Sequence, residues 1–171
     1  MSSFRTLLMT STSSVKWRNF YDDMQIWNDL QTVCLQVPDT MPWEFDFAFK
    51  LTGNRQDTHL LMTNIYGLGL MAESHQLRFR LHDENRVKDN LFGPAPQPGI
   101  RYQVKTGWNS SGAYLAFAGK TSASSKTFPL KELFYQAPPR TNLDGQLEYF
   151  ILRRSDTGEI LWQAPKELLT L

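Results

Sequence analysis

The sequence predicts an all-β protein in which two antiparallel sheets form a sandwich, with one or two short helices. Three observations lead to this prediction: many short β-type runs, turn residues between them at the spacing typical of a sandwich, and one unambiguous β-hairpin. Strands and helices do not alternate, so a parallel sheet is not expected. The chain has 171 residues, and we predict a single domain over residues 1–171.

The N-terminal part of the chain has the weakest pattern. Residues 1–14 are rich in Ser and Thr, which predicts a loose arm or an edge strand that pairs only in an assembly. In residues 15–27 the apolar side chains recur at steps of three and four, which favours a short helix, with an irregular β segment as the alternative. A strand is predicted over residues 32–37, where Pro38 ends it.

The segment Trp43–Leu51 alternates between apolar and polar residues. Phe45, Phe47 and Phe49 fall on one face of such a strand, while the polar residues, beginning with Glu44, fall on the other. This pattern is typical of a strand that packs one face against a hydrophobic core and presents the other face to polar surroundings.

The rest of the chain continues as short strands and connectors. Three segments are predicted as loops. Residues 82–90 are charged, residues 93–99 are rich in Pro and Gly, and residues 121–126 are polar. Pro129, followed by apolar residues on one helical face, favours a short helix over residues 128–135. The remaining predicted strands are 59–65, 66–72, 77–81, 102–108, 113–118, 146–153 and 159–163.

The clearest element is the hairpin formed by residues 102–108 and 113–118. The connecting residues Asn109-Ser110-Ser111-Gly112 are typical of a tight turn. Gly119 marks a second turn directly after the hairpin.

This hairpin and its neighbours resemble the laminin-G-like, concanavalin A-like jelly-roll domains. The segment GLGLMAESHQLRFRL before the hairpin and Phe150-Ile151-Leu152 after it are also similar to strands of that family. The resemblance spans about half of the chain and implies a jelly-roll sandwich. Arg101, where the family often has Trp, and Gly107 inside the strand depart from the pattern. The matching hairpin residues are Val104, Thr106, Trp108, residues 109–112, residues 114–117 and Gly119-Lys120.

Composition and charge exclude some classes of binding partner. The formal net charge is +1, from 18 basic and 17 acidic residues, so neither nucleic acid nor an anionic membrane is an expected partner. No apolar run is long enough to insert into a membrane.

The single cysteine, Cys34, and three histidines without ligand spacing predict no metal site and no cofactor. The N-terminus lacks a signal-peptide pattern, which predicts synthesis in the cytoplasm, with a virion as a further destination.

Two carboxylates raise the question of catalysis. Some glycosidases with this type of fold carry three acidic residues along one strand, and Glu44 and Asp46 begin such a motif. The third acidic residue is missing, because Ala48 and Lys50 occupy the next positions on that face. The sequence therefore predicts a protein that is not an enzyme.

Charged residues on three predicted strands could instead form a binding surface. Charged side chains on a concave sheet face can hold a saccharide by bidentate hydrogen bonds. Our first hypothesis is a non-catalytic jelly-roll module of a viral or phage particle, a decoration, tail or receptor-contacting subunit. It would assemble with other protein subunits, as a homo-oligomer or on a particle surface, through the N-terminal arm and the aromatic segment over residues 15–27. The alternative is a lectin-like carbohydrate-binding domain, and a degenerate polysaccharide hydrolase or lyase is a third candidate. The predicted ligand-binding residues are Glu44, Asp46, Lys50, Arg78, Arg80 and Lys105.

Overall fold

Antiparallel strands account for most of the described chain, which confirms the predicted all-β sandwich. The structure is a computed structural model, and it describes residues 5–8, 15–18, 24–27, 32–36, 41–53, 58–62, 66–70, 76–82, 87–126, 132–136, 145–166 and 169. In this part of the chain, no helix is long and apolar enough to cross a membrane.

The described residues form fifteen strands. In chain order they are β1 (Arg5–Leu8), β2 (Val15–Arg18), β3 (Met24–Trp27), β4 (Thr32–Gln36), β5 (Trp43–Leu51), β6 (Thr58–Met62), β7 (Tyr66–Leu70), β8 (Leu77–His82), β9 (Val87–Phe92), β10 (Arg101–Asn109), β11 (Gly112–Phe117), β12 (Lys120–Ser124), β13 (Glu132–Gln136), β14 (Gly145–Arg154) and β15 (Ile160–Gln163).

These strands form two large sheets and one small one. The seven-stranded sheet has the order β1-β4-β13-β6-β7-β8-β9, and the six-stranded sheet has the order β12-β11-β10-β5-β14-β15. Strands β2 and β3 pair only with each other. The observed register pairs every neighbouring strand antiparallel, as expected for hairpins and Greek-key connections.

One aromatic core joins the two large sheets. The three phenylalanines of β5 are fully buried, and Phe47 stacks on Phe150 of β14 with ring centroids 4.9 Å apart. Trp43 of β5 meets Phe79 of β8 edge-on, with centroids 6.4 Å apart. Because β5 and β8 belong to different sheets, these contacts place the core between the sheets.

The structure corrects both helix predictions: over residues 15–27 it has β strands, in line with the alternative of a β segment, and the predicted helix over residues 128–135 is wrong. The segment over residues 15–27 contains the antiparallel strands β2 and β3, and the segment over residues 128–135 overlaps β13. Apolar spacing alone suggests a helix in each, but β13 lies between β4 and β6 and exchanges backbone hydrogen bonds with both. Pairing with two neighbours overrides a short helical pattern.

Two predicted loops are also strands in part. Residues 82–90 overlap β9, and residues 121–126 overlap β12. Both strands lie at the edge of their sheet, where one side of the strand has no neighbour and polar residues are tolerated, although Leu91 of β9 is buried in the core.

The prediction for the N-terminal arm also needs correction. Arg5–Leu8 form an edge strand, and this strand pairs with β4 of the same chain. The other residues of the predicted arm, 1–4 and 9–14, lie outside the described residues.

The hairpin is confirmed, and the structure explains the glycine inside it. Strands β10 and β11 pair in register from Val104 to Asn109. Gly107 lies opposite Glu44 of β5, and a Cβ atom at this position would lie 2.0 Å from the backbone oxygen of Trp43. The two strands can approach this closely only because residue 107 has no side chain.

We expect Gly107→Ala to lower the free energy of unfolding by about 2 kcal/mol or more, because β5 and β10 must separate to admit the methyl group. Urea unfolding followed by tryptophan fluorescence measures the change. The matched control is Gly119→Asn, since Gly119 has a φ of +76° and no atom within 4 Å of the added Cβ. Asparagine tolerates this conformation, so its cost should be about 1 kcal/mol or less. Equal losses in both variants would contradict the close approach at Gly107.

Candidate functional site

The six predicted site residues divide between the two large sheets. One face of the six-stranded sheet is buried against the core, and strand alternation places the polar residues of β5 and β10 on the other face. We call this second face the outer face. The predicted residues on it are Glu44, Asp46, Lys50 and Lys105.

The two predicted arginines lie elsewhere, which corrects the predicted site. Arg78 and Arg80 belong to β8 of the seven-stranded sheet, where they alternate with Leu77, Phe79 and Leu81, all fully buried in the core. The arginines therefore lie on the far side of the sandwich from the acidic residues of β5. Arg80 is itself 7% exposed. No single ligand-binding surface can combine these two arginines with the carboxylates of β5.

Strand register brings other polar residues to the outer face. Lys105 of β10 lies opposite Asp46 on one side and opposite Ala116 of β11 on the other. Strand β14 adds Tyr149, opposite Ala48, and Arg153, opposite Glu44. Side chains that lie directly opposite in neighbouring strands are close enough to interact.

Asp46 is the centre of a hydrogen-bonded network. Its carboxylate accepts a hydrogen bond of 2.8 Å from the Tyr149 hydroxyl and one of 3.2 Å from the Gln103 amide. Arg153 approaches the other carboxylate oxygen at 3.5 Å. Asp46 is only 4% exposed, so these partners replace water around a nearly buried charge and hold it in place.

Glu44 is held in a similar way. The Tyr114 hydroxyl donates a hydrogen bond to the Glu44 carboxylate, and the Thr106 hydroxyl donates one of 2.9 Å to the Tyr114 carbonyl. Burial, together with the bond to Glu44, raises the pKa of Tyr114. Burial, together with the bond to Asp46, raises the pKa of Tyr149 to about 12. Both tyrosines therefore stay neutral and keep donating to their carboxylates at physiological pH.

An exposed ion pair connects β10 to β14. Arg101 and Glu148 form a two-contact pair, which raises the pKa of the Arg101 guanidinium and lowers that of the Glu148 carboxyl. Both side chains are more than half exposed, so solvent screens the pair and it adds little to stability.

An open depression of about 340 Å³ lies at the β12 side of the outer face. Ala116 lies in register between Lys105 of β10 and Thr121 of β12, and its small side chain leaves the space between them unfilled. The lining residues are Gln103, Lys105, Ala116, Phe117, Ala118, Gly119, Lys120 and Thr121.

The position of the third acidic residue of the glycosidase motif holds no functional group. Ala48 is fully buried, and the two carboxylates that are present each accept a hydrogen bond from a tyrosine. This arrangement favours fixed acceptors over a general acid. The absence of enzyme activity stays a prediction.

Sequence reasoning missed Gln103, Tyr114, Ala116 and Tyr149. Alternation along β10 does place Gln103 on the same face as Lys105, so one signal was present in the sequence. The two tyrosines could not be assigned, because only strand pairing shows which carboxylate each of them reaches.

Among the described residues, no group of three or more His, Cys, Asp or Glu side chains could hold a metal ion. The side chain of Cys34 and those of the three histidines lie outside the described residues, so the predicted absence of a metal site stays a prediction.

The solved structures compared with this chain below are distant in sequence. No protein-family model matches the sequence, and no curated protein matches it. A carbohydrate-binding module, CBM66, from Bacillus subtilis is similar in structure, with a TM-score of 0.41, 12% identity, and coverage of 80% of this chain and 89% of that one. Two variants of human galectin-16, a double and a single substitution, each have a TM-score of 0.45 and 8% identity, with coverage of 71% of this chain and 94% of that one. With TM-scores below 0.5, neither likeness bears on the ligand of this chain.

The raised pKa of Tyr149 predicts a loss of stability at alkaline pH. Burial, and after it the bond to Asp46, raises the folded-state pKa to about 12 from the usual value of 10.0, so the neutral hydroxyl contributes its full stabilisation below pH 10. That stabilisation is lost as the pH rises from 10 to 12. We expect the free energy of unfolding to fall more steeply over this interval in the natural protein than in Tyr149→Phe, measured by urea unfolding. Parallel curves for the two proteins would show that the fold does not raise the pKa of Tyr149.

Proposed function

We propose that this protein is a non-catalytic carbohydrate-binding domain, and that the saccharide lies on the outer face of the six-stranded sheet. The observation that carries the proposal is the combination of an open depression with polar groups fixed at its border. The outer face thus offers a ligand a shape and a hydrogen-bonding pattern that exist before the ligand arrives.

Gln103 is the polar group best placed to bind a sugar. Its exposed amide donates one hydrogen bond to Asp46, which orients it, and a primary amide has a second N–H and a carbonyl oxygen besides. A saccharide presents neighbouring hydroxyl groups that both donate and accept. An oriented amide can meet two of them at once, and pre-organisation reduces the entropy lost on binding.

The floor of the depression suits the other part of a sugar ring. Ala116 offers a small apolar surface, and the tight turn at Ala118 and Gly119 closes one end. Pyranose rings carry C–H groups between their hydroxyls, and these groups favour contact with an apolar surface edged by polar side chains. The depression is open to solvent, which suits one or two residues of a longer chain.

The hypothesis of a particle subunit draws on other parts of the molecule. It depends on the N-terminal arm and on the aromatic residues between 15 and 27, whose side chains lie outside the described residues. Assembly with other subunits and a virion location therefore stay predictions, whereas the carbohydrate hypothesis has a described surface to support it.

We expect the protein to retain one class of glycan on an array, and Ala116→Phe to weaken that binding at least tenfold, because the ring fills the depression. Isothermal titration calorimetry with the retained glycan measures the affinity. Ala116 is partly exposed, so the fold should survive the substitution.

The control is Thr157→Phe, which adds the same ring to the exposed turn before β15 and should leave affinity unchanged. Equal binding by Ala116→Phe and the natural protein would place the ligand elsewhere. If no glycan binds the natural protein in either assay, the proposed function is wrong.

A further inference from the structure

We infer that Ala118 is a ligand-binding residue, and that its strained backbone conformation is kept because its methyl group contacts the saccharide. The inference rests on the proposed function and adds how the sugar lies: its ring is flat against Ala116 and Ala118, with its C–H groups on the two methyl groups. It comes from a backbone angle that alanine disfavours, found at the border of the depression.

Ala118 has a backbone conformation that residues with a side chain rarely adopt. Its φ is +53°, in the left-handed region, where the Cβ atom comes too close to the following carbonyl oxygen. Glycine has no Cβ atom and avoids this cost. Among the residues that the structure describes, the others with a positive φ are all glycines, namely Gly99, Gly112, Gly119 and Gly158.

The turn that contains Ala118 does not require an alanine. Phe117 of β11 pairs with Lys120 of β12, so residues 118 and 119 form a two-residue turn. Their φ angles of +53° and +76° are both positive, as a type I′ turn requires. Asn-Gly is strongly preferred in such turns, because asparagine tolerates the left-handed region. Alanine at position 118 therefore makes this turn less stable than asparagine or glycine would.

The strained residue lies at the candidate binding surface. Ala118 is exposed and lines the depression, as does Ala116 of β11 two residues earlier. Residues two apart in an extended chain are about 6.5 Å apart, a spacing that one pyranose ring can span. Strained residues cluster at ligand sites, where their function offsets the lost stability. The position of the strain thus points to contact with the ligand.

A methyl group at this position provides what glycine and asparagine do not. Glycine has no side chain to contact a ligand, and the asparagine amide is polar and needs hydrogen-bond partners when it is covered. The two alanines form a small apolar strip, and the depression is also lined by Gln103 and Thr121. A flat sugar ring meets this combination, because its C–H groups face the strip and its hydroxyls extend sideways to polar groups.

The test uses Ala118→Gly, which removes the methyl group and the strain together. We expect the melting temperature to rise by about 2 °C, because relief of the left-handed strain exceeds the extra freedom that glycine has in the unfolded chain. Ala118→Asn should also melt about 2 °C higher, since asparagine tolerates this conformation. Thermal unfolding followed by tryptophan fluorescence measures both shifts.

Binding should change in the opposite direction. We expect Ala118→Gly to weaken binding about fourfold, because one apolar methyl contact with the ligand is lost. The probes for calorimetry are cellopentaose, xylopentaose and galactopentaose, three neutral chains of pyranose rings, together with the glycan that the array retains.

The matched control is Ala123→Gly. It removes the same methyl group from an exposed residue of β12 that does not line the depression. Residue 123 lies in the paired part of its strand, opposite Tyr114, so glycine should lower the melting temperature there by about 1 to 4 °C. Affinity for the probes should stay unchanged. The two Ala→Gly variants therefore differ both in affinity and in the sign of the stability change.

Three results would overturn the inference. Lower melting temperatures in both Ala118 variants would show that the turn favours alanine. Unchanged affinity in Ala118→Gly, with binding lost in Ala116→Phe, would leave a saccharide in the depression without contact to Ala118, and the proposed function would stand. If neither the probes nor the glycans of the array bind the natural protein, the proposed function fails and the inference fails with it.

Discussion

The central position of β5 between β10 and β14 is the constraint on which the rest of the structure depends. One face contributes three phenylalanines to the core between the sheets, and the other contributes Glu44 and Asp46 to the outer face. Because β10 and β14 flank this strand, their side chains meet the same two environments. Gly107 lets β10 approach closely enough for this pairing. The core and the candidate site are thus two sides of one central strand, and a change of register would destroy both together.

The sequence predicted this central part well, because alternation within a strand is a local property. The faces of β5, the hairpin of β10 and β11, and the strands β8 and β14 follow from which residues are apolar and where turns occur. The sequence does not predict strands that form only because adjacent strands pair with them. Strand β12 is polar and β13 has helical spacing, and both are strands because adjacent strands supply hydrogen bonds.

The same limit explains the error in the predicted site. Alternation shows which residues share a face within β8, but it does not show which sheet β8 joins. Arg78 and Arg80 were therefore grouped with Lys105, although they lie across the sandwich from it. The depression was also beyond prediction, because it depends on Ala116 lying in register between Lys105 and Thr121. A small residue becomes a binding feature only when larger residues stand on both sides.

We propose that the binding surface is the outer face at the β12 side of the six-stranded sheet. Amide chemical shifts recorded while the protein is titrated with the glycan retained on the array test this placement, because they report on every strand at once. We expect the largest shifts at Gln103, Lys105, Ala116 and Thr121, and small shifts along β8. Shifts centred on Arg78 and Arg80 would place the ligand on the seven-stranded sheet and contradict the proposed site.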